Sequence, residues 1–452
     1  MTTKKSSKQN NFAEGPVWKC IIAQAIPLTV AQLVQLLYNV VDRIYLGHLG
    51  DGDSMALTGV GLAFPIITLI MAFTALFGNG GVPLFSMARG RGSEDEAKKI
   101  MGNSFALLVV SSLALMALCY LFCKPILFLF GASEASYVYA AAYLKIYLIG
   151  TTFTMLATGM NGFINAQGFP KIGMFTVLIG AVLNIILDPV FIFVLDMGVA
   201  GAAMATVLSQ VISALWVLYF LTSKKTPVRL CKHAIGLDKD ITIRIVKLGS
   251  ANFIVHGSNC LVQVLCNATL QIYGGDLYVG IMTVLNSIRE ITVLPIIGIV
   301  NGSQPVISFN YGAGNKERVR AGIKFNSLLG VGYTLIAWLG VLLFPVFWFR
   351  MFTDDVQMIE MGQRALFIYF FGFIFMALQF SGQSTFQAVG DAKHSIFFST
   401  LRKVIIVSPL TILLPMLGFG VTGVFLAEPI SNIIGGTACY TTMWRTVYKR
   451  LK

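Results

Sequence analysis

Apolar residues along this chain come in long unbroken blocks rather than in alternation, and short polar or basic stretches part the blocks. About twelve blocks stand out, starting near Cys20, Met55, Ile100, Tyr137, Ile172, Val199, Leu248, Leu277, Phe325, Met361, Ser395 and Val421. Each approaches the ~20 residues that a helix needs to cross a bilayer. Lipid offers no partner to a backbone N–H or C=O, so such runs must be helical, and the lack of a two-residue period argues against a membrane barrel. Composition agrees: 56% of the 452 residues are hydrophobic and only 12% are charged, which is far from an ordinary soluble domain. The pattern predicts an all-α membrane protein with twelve transmembrane helices.

Lys and Arg near span ends are retained on the cytoplasmic side. With the N-terminus inside and twelve spans, the inside segments hold 25 of the 33 Lys and Arg residues, against Lys124 and Arg350 outside. Both termini are therefore expected in the cytoplasm, in a multi-pass protein of the cell membrane. The net charge of +13 reads as this topology signal. No basic stripe lies on a soluble face, so no nucleic-acid partner is expected. The first 18 residues are polar and lack a short apolar core before a cleavage site, which predicts no removable signal peptide. Most of the seven cysteines lie inside apolar runs, where a small buried hydrophobe is the usual role.

A repeat organises the chain. NGGVPLFSMARGRG at 79–92 and NGSQPVISFNYGAG at 301–314 share Asn79, Gly80, Pro83, Ser86, Gly90 and Gly92 with Asn301, Gly302, Pro305, Ser308, Gly312 and Gly314, always 222 residues apart. The offset persists from Tyr147 and Gly150 to Tyr369 and Gly372, from Ala166, Gly168 and Lys171 to Ala388, Gly390 and Lys393, and from Gly198, Val199 and Gly201 to Gly420, Val421 and Gly423. The expected layout is a tail at 1–18, an N-lobe at 19–222 with spans one to six, a basic linker at 223–247, a C-lobe at 248–444 with spans seven to twelve, and a tail at 445–452. Two six-helix lobes of one orientation, related by internal duplication with a central cavity, are the architecture of alternating-access transporters. GNGGVP lacks the Lys-Ser/Thr of a phosphate-binding loop, so an ion gradient is the expected energy source and no cofactor is expected.

Acids inside apolar runs cost at least ~2.5–3.5 kcal/mol at a helix centre and suggest a role by default. Asp188, in LNIILDPVFIF, is one of them. Asn184 lies one helical turn before it, and Pro189 frees the carbonyl of Ile185. Carboxylate, amide and freed carbonyl are hard oxygen ligands for a small cation, or a place to hold a proton. Depth counting at 1.5 Å per residue brings Thr206 in span six and Tyr143 in span four to the level of Asp188, with Asp42, Tyr38 and Asn39 near the outer end of span one.

LTVAQLVQLLYNVVDRIYLGHLG, the repeated Asn-Gly-x-x-Pro and Gly-x-Gly turns, LNIILDPVFIF followed by MGVAGAAMATVLSQ, and SQPVISFNYGAGNKERV together resemble the multidrug and toxic compound extrusion (MATE) family, in its DinF-like branch, and Gram-positive multidrug exporters within it. The resemblance implies a secondary antiporter that exports cationic or amphipathic organic compounds in exchange for H+ or Na+. It implies an ion-coupling site at Asp42, Asn184, Asp188 and Thr206, which would also be the place of any bound sodium, and cavity residues Tyr143 and Asn161, to which depth counting adds Tyr38 and Asn39. The C-lobe departs from the N-lobe: positions 264 and 410 are Val and Leu, while Arg289, Glu290, Arg402, Lys403 and Glu428 are placed in its spans. These charges either neutralise one another or let Glu290 or Glu428 hold a cationic drug. His48 and His256 read as ordinary residues. The 34 Phe and 18 Met suit flat organic cations, and equally suit membrane lipids. A monomer is expected. Two rival readings are a lipid-linked oligosaccharide flippase, which would need a cavity rich in Arg and Lys, and an intramembrane aspartyl protease, for which GDGD at 50–53 would be the motif.

Overall fold

The structure, a computed structural model, describes residues 9–47 and 55–451. His48, the GDGD string at 50–53 and Lys4, Lys5 and Lys8 lie outside the described residues. Among the described residues there is no β-strand. Nine helices are long and apolar enough to cross a membrane, and the bent pair Val356–Phe370 and Phe373–Ala388 makes a tenth. Two of the nine are double: Lys239–Gly312 breaks at Gly275 (φ +69°), and Ala392–Leu451 breaks at Gly418 (φ +95°). Twelve spans result, as the apolar blocks predict.

The N-terminal spans are α1 (Val17–Gly47), α2 (Met55–Thr74, continued through Gly80–Gly90), α3 (Glu94–Leu121), α4 (Glu134–Ala166), α5 (Pro170–Pro189) and α6 (Gly198–Thr222). The C-terminal spans are α7 (239–274), α8 (276–312), α9 (Lys316–Leu343), α10 (Val356–Phe370 with Phe373–Ala388), α11 (Ala392–Thr400, continued through Ser408–Leu414) and α12 (Gly420–Met443). Polar residues between the blocks start the helices. Ser133 and Ser136 exchange side-chain and backbone hydrogen bonds in a capping box at α4, and Asn315, Asp355 and Asp391 accept from the first-turn N–H groups of α9, α10 and α11. Outward faces stay apolar, as at Leu121, Leu129, Ile272 and Ile336. That is the mark of helices solvated by lipid.

The duplication is written in the backbone. Gly92, Gly168 and Gly198 have φ of +77°, +86° and +55°, and their repeat partners Gly314, Gly390 and Gly420 have +71°, +80° and +53°. Such angles strain any residue with a Cβ, so glycine recurs where the turn recurs. Close helix approach recurs too. A Cβ on Gly150 would come within 2.5 Å of the Val207 side chain, and one on Gly372 within 2.6 Å of the Pro429 carbonyl, 222 residues on in both cases. Small residues let membrane helices pack at such distances.

The described residues divide into two compact units: 9–12 with 30–47 and 55–253, and 13–29 with 254–451. In the first, Phe85 and Phe163 meet edge to face at 5.2 Å. The N-terminal segment is tied to the α4–α5 turn, where Asn10 N–H donates to the Gly168 carbonyl at 2.8 Å and Gln9 Nε2 to the Gln167 carbonyl at 3.0 Å. In the second unit Leu285, Phe349, Leu366 and Phe370 form one apolar core.

Five π turns lie within or at the ends of the described spans. One, Val190–Val194, follows Pro189 directly and is closed by Leu195 N–H on the Val190 carbonyl at 2.9 Å. Another, Leu401–Val407, interrupts α11 and carries Arg402 and Lys403. A third, Ala75–Asn79, joins the two parts of α2. Wide turns of this kind re-aim side chains and are frequent at functional sites.

Candidate functional site

Asn184 and Asp188 share one face of α5, and both are buried, Asp188 with no exposed surface at all. The Asn184 amide Nδ2 donates to Asp188 Oδ1 and to Thr206 Oγ1 of α6, each at 3.2 Å. One side chain thus ties two helices and the acid together. From α1, the Tyr38 hydroxyl is within hydrogen-bonding reach of Thr206, and the Asp42 carboxyl within reach of Asp188. Tyr143 of α4 is buried within electrostatic range of both acids, and its ring stacks on Tyr147 at 6.0 Å and 15°. Asn184 Oδ1 and Asp188 Oδ2 are buried and accept no hydrogen bond from the described residues. Two carboxyls, an amide oxygen and a hydroxyl meet here. This set is all hard oxygen.

Of the candidate residues, Asp42, Asn184, Asp188, Thr206, Tyr38 and Tyr143 come together. Asn39 is linked along its own helix, accepting from Gln35 Nε2 at 3.4 Å. Asn161 is elsewhere: it donates to the Gly173 carbonyl at 3.1 Å, about 22 Å along α5 from Asp188 at 1.5 Å per residue. Tyr147 is a member that depth counting passes over. Its recurrence as Tyr369 was the available signal.

In the C-terminal unit Glu428 of α12 stands at the repeat position of Thr206. Lys403 Nζ donates to both its oxygens, at 3.1 and 3.2 Å, and Arg289 of α8 donates to Oε1 at 3.2 Å. Arg402 approaches Oε1 at 3.7 Å and donates to Asn432 Oδ1 at 2.7 Å. Arg402 and Lys403 both lie on the π turn, where the Ser431 and Ser408 hydroxyls donate to the Arg402 and Lys403 carbonyls at 3.0 and 2.9 Å. Nearby the Tyr369 hydroxyl donates to Asn286 Oδ1 at 3.1 Å. Glu290 is exposed and does not join, because consecutive helical residues diverge by about 100°. Among the described residues no three His, Cys, Asp or Glu side chains are grouped to hold a metal ion.

The MatE family profile matches residues 27–190 and 255–413, one stretch in each half of the duplication. The chain belongs to the MatE family. It is accordingly a multi-span membrane transporter and not an enzyme. Among curated MatE relatives, the chain is similar to "Multidrug export protein MepA" of Staphylococcus saprophyticus, 25% identical over 444 residues that cover 97% of this chain and 95% of that one. It is also similar to MepA of Staphylococcus aureus, 26% identical with the same coverage. Among solved structures it superimposes on a MATE transporter crystallised with MaL6, with a TM-score of 0.92, 23% identity and 99% of each chain covered. An outward-facing multidrug resistance MATE transporter matches with a TM-score of 0.91, also at 23% identity, covering 99% of this chain and 100% of that one. The fold of these MATE structures is the fold of this chain.

Proposed function

We propose that the protein is a secondary active exporter of the cell membrane, with both termini in the cytoplasm, that carries small cationic or amphipathic organic compounds outward in exchange for protons or sodium ions by alternating access. The multidrug-export names of its MepA relatives support the substrate class. The observation that carries the coupling site is the buried meeting of Asp42 and Asp188 around Asn184 and Thr206. Two carboxyls within hydrogen-bonding reach, with buried oxygens, repel unless a proton or a cation sits with them. Loading therefore changes the charge of the group by one, and with it the pull between α1 and α5. Pro27 within α1 and the π turn after Pro189 give the bending of these helices a local cause. Asp42 and Asp188 take up the ion, Asn184 and Thr206 hold it, and Tyr38 and Tyr143 line the same group.

The test is efflux of an organic cation from proteoliposomes under a pH gradient or a sodium gradient imposed separately, for wild type, Asp42→Asn and Asp188→Asn. Both variants should lose gradient-driven efflux while staying folded, and the effective gradient names the ion. Full efflux in both would overturn the assignment.

A further inference from the structure

The cluster around Glu428 carries more positive charge than its carboxylate balances. Arginine does not shed its proton in a protein. Arg289 and Arg402 against Glu428 therefore leave at least one positive charge in excess, whatever the state of Lys403. A buried charge without a counter-charge costs several kcal/mol. Glu290 is only the weakest of the charges that act on Arg289, and it is exposed and forms no ion pair with the cluster.

The donors are unequally engaged. Lys403, only 2% exposed, is taken up by the two oxygens of Glu428, and Arg402 by Asn432. The Arg289 side chain is 28% exposed. Among the described residues its guanidinium makes one hydrogen bond, to Glu428 Oε1, although the group offers a fork of five donors. Asn286 lies one turn earlier on the same face of α8, and with its Oδ1 accepting from Tyr369, its NH2 is left as a further donor. A part-exposed guanidinium beside an oriented amide, with a second arginine behind, repels cations. It matches an oxyanion, two of whose oxygens take two parallel N–H donors.

We propose that Arg289, with Asn286 and Arg402, forms a binding site for an oxyanion group, a carboxylate, sulfonate or phosphate, carried by an amphipathic molecule. Glu428 then serves to hold the cations in place and is not itself a cation site. The site shares no residue with the coupling group of the N-terminal unit. A molecule bearing an acidic group is thereby recognised as well as a purely cationic one.

Fluorescein and rhodamine 6G share a xanthene ring system and differ in the sign of their charge. Anisotropy titrations of the purified full-length protein in a non-ionic detergent, without any ion gradient, therefore read charge recognition separately from coupling. Fluorescein should bind saturably, and Arg289→Gln should weaken it by at least about tenfold, the loss of one charge-assisted hydrogen bond. Arg289→Lys, which keeps the charge without the fork, should fall between, and Asn286→Ala should weaken binding a few-fold. Rhodamine 6G should not weaken in any of them, with melting temperature as the control of fold. Absence of saturable fluorescein binding in the wild type, equal affinity in Arg289→Gln, or equal weakening of both dyes would each overturn the proposal. Repeating the titration in nanodiscs identifies the source of the oxyanion. Competition by phosphatidylglycerol but not phosphatidylcholine assigns the site to a lipid headgroup, and equal affinity in both assigns it to a free organic anion.

Discussion

Thr206 and Glu428 occupy one position in two copies of the same six-helix unit, as do Tyr147 and Tyr369, yet the chemistry around them has opposite sign. Around Thr206 stand two acids with buried acceptor oxygens. Around Glu428 stand three cations with donors to spare. The backbone, by contrast, has hardly moved, with paired glycines within a few degrees of one another in φ. Turn geometry is held by sterics that only glycine satisfies, whereas a site on a helix face is altered by exchanging side chains that the fold does not need. Duplication supplied two scaffolds, and only the scaffold was kept.

The largest effect expected from this contrast is in stability. Glu428→Ala leaves the cations unpaired and should cost roughly 3–5 kcal/mol, seen as a collapse in melting temperature and in monodisperse yield. Asp188→Asn keeps the side chain's shape and removes a buried charge, so its melting temperature should hold while coupled efflux fails. If the two variants melt alike, the two units are not chemically opposite. A smaller effect separates the two close approaches. The added methyl of Gly372→Ala meets a backbone carbonyl that cannot yield, at a cost of about 1–3 kcal/mol, whereas that of Gly150→Ala meets only side-chain atoms of Val207, which give way more easily than backbone. Thermal melts of the pair should rank them in that order, and the reverse order would mean that the C-terminal packing is the more adaptable. Smallest is Thr206→Val, which removes one acceptor from Asn184, worth about 0.6 kcal/mol on average for an interhelical hydrogen bond. Efflux should drop about threefold with an unchanged melt. A complete loss would make Thr206 an indispensable ion ligand.

The span count, the duplication and the Asn184–Asp188 pair were legible in the sequence because each rests on spacing alone: block length, a fixed offset, one helical turn. Tyr147, Asn286 and Asn432 were not, because their partners depend on how far each helix is rotated about its axis, which depth along the membrane does not report. The same limit explains Glu290, which adjoins Arg289 in sequence and faces elsewhere, and Asn161, whose amide serves the start of α5 and not its acid. Pro189 signalled a disturbed helix end. That the disturbance takes the form of a π turn follows from packing that no local rule contains.

The ties at Asn10 and Gln9 have a consequence for the order in which the protein is made. Gln9 bonds to a residue 158 positions later. At 5–20 residues per second, the partner leaves the ribosome roughly ten to thirty seconds after the segment that needs it. The opening segment therefore waits through the synthesis of α1 to α4, and its anchoring closes the first half of the molecule only when that half is nearly complete.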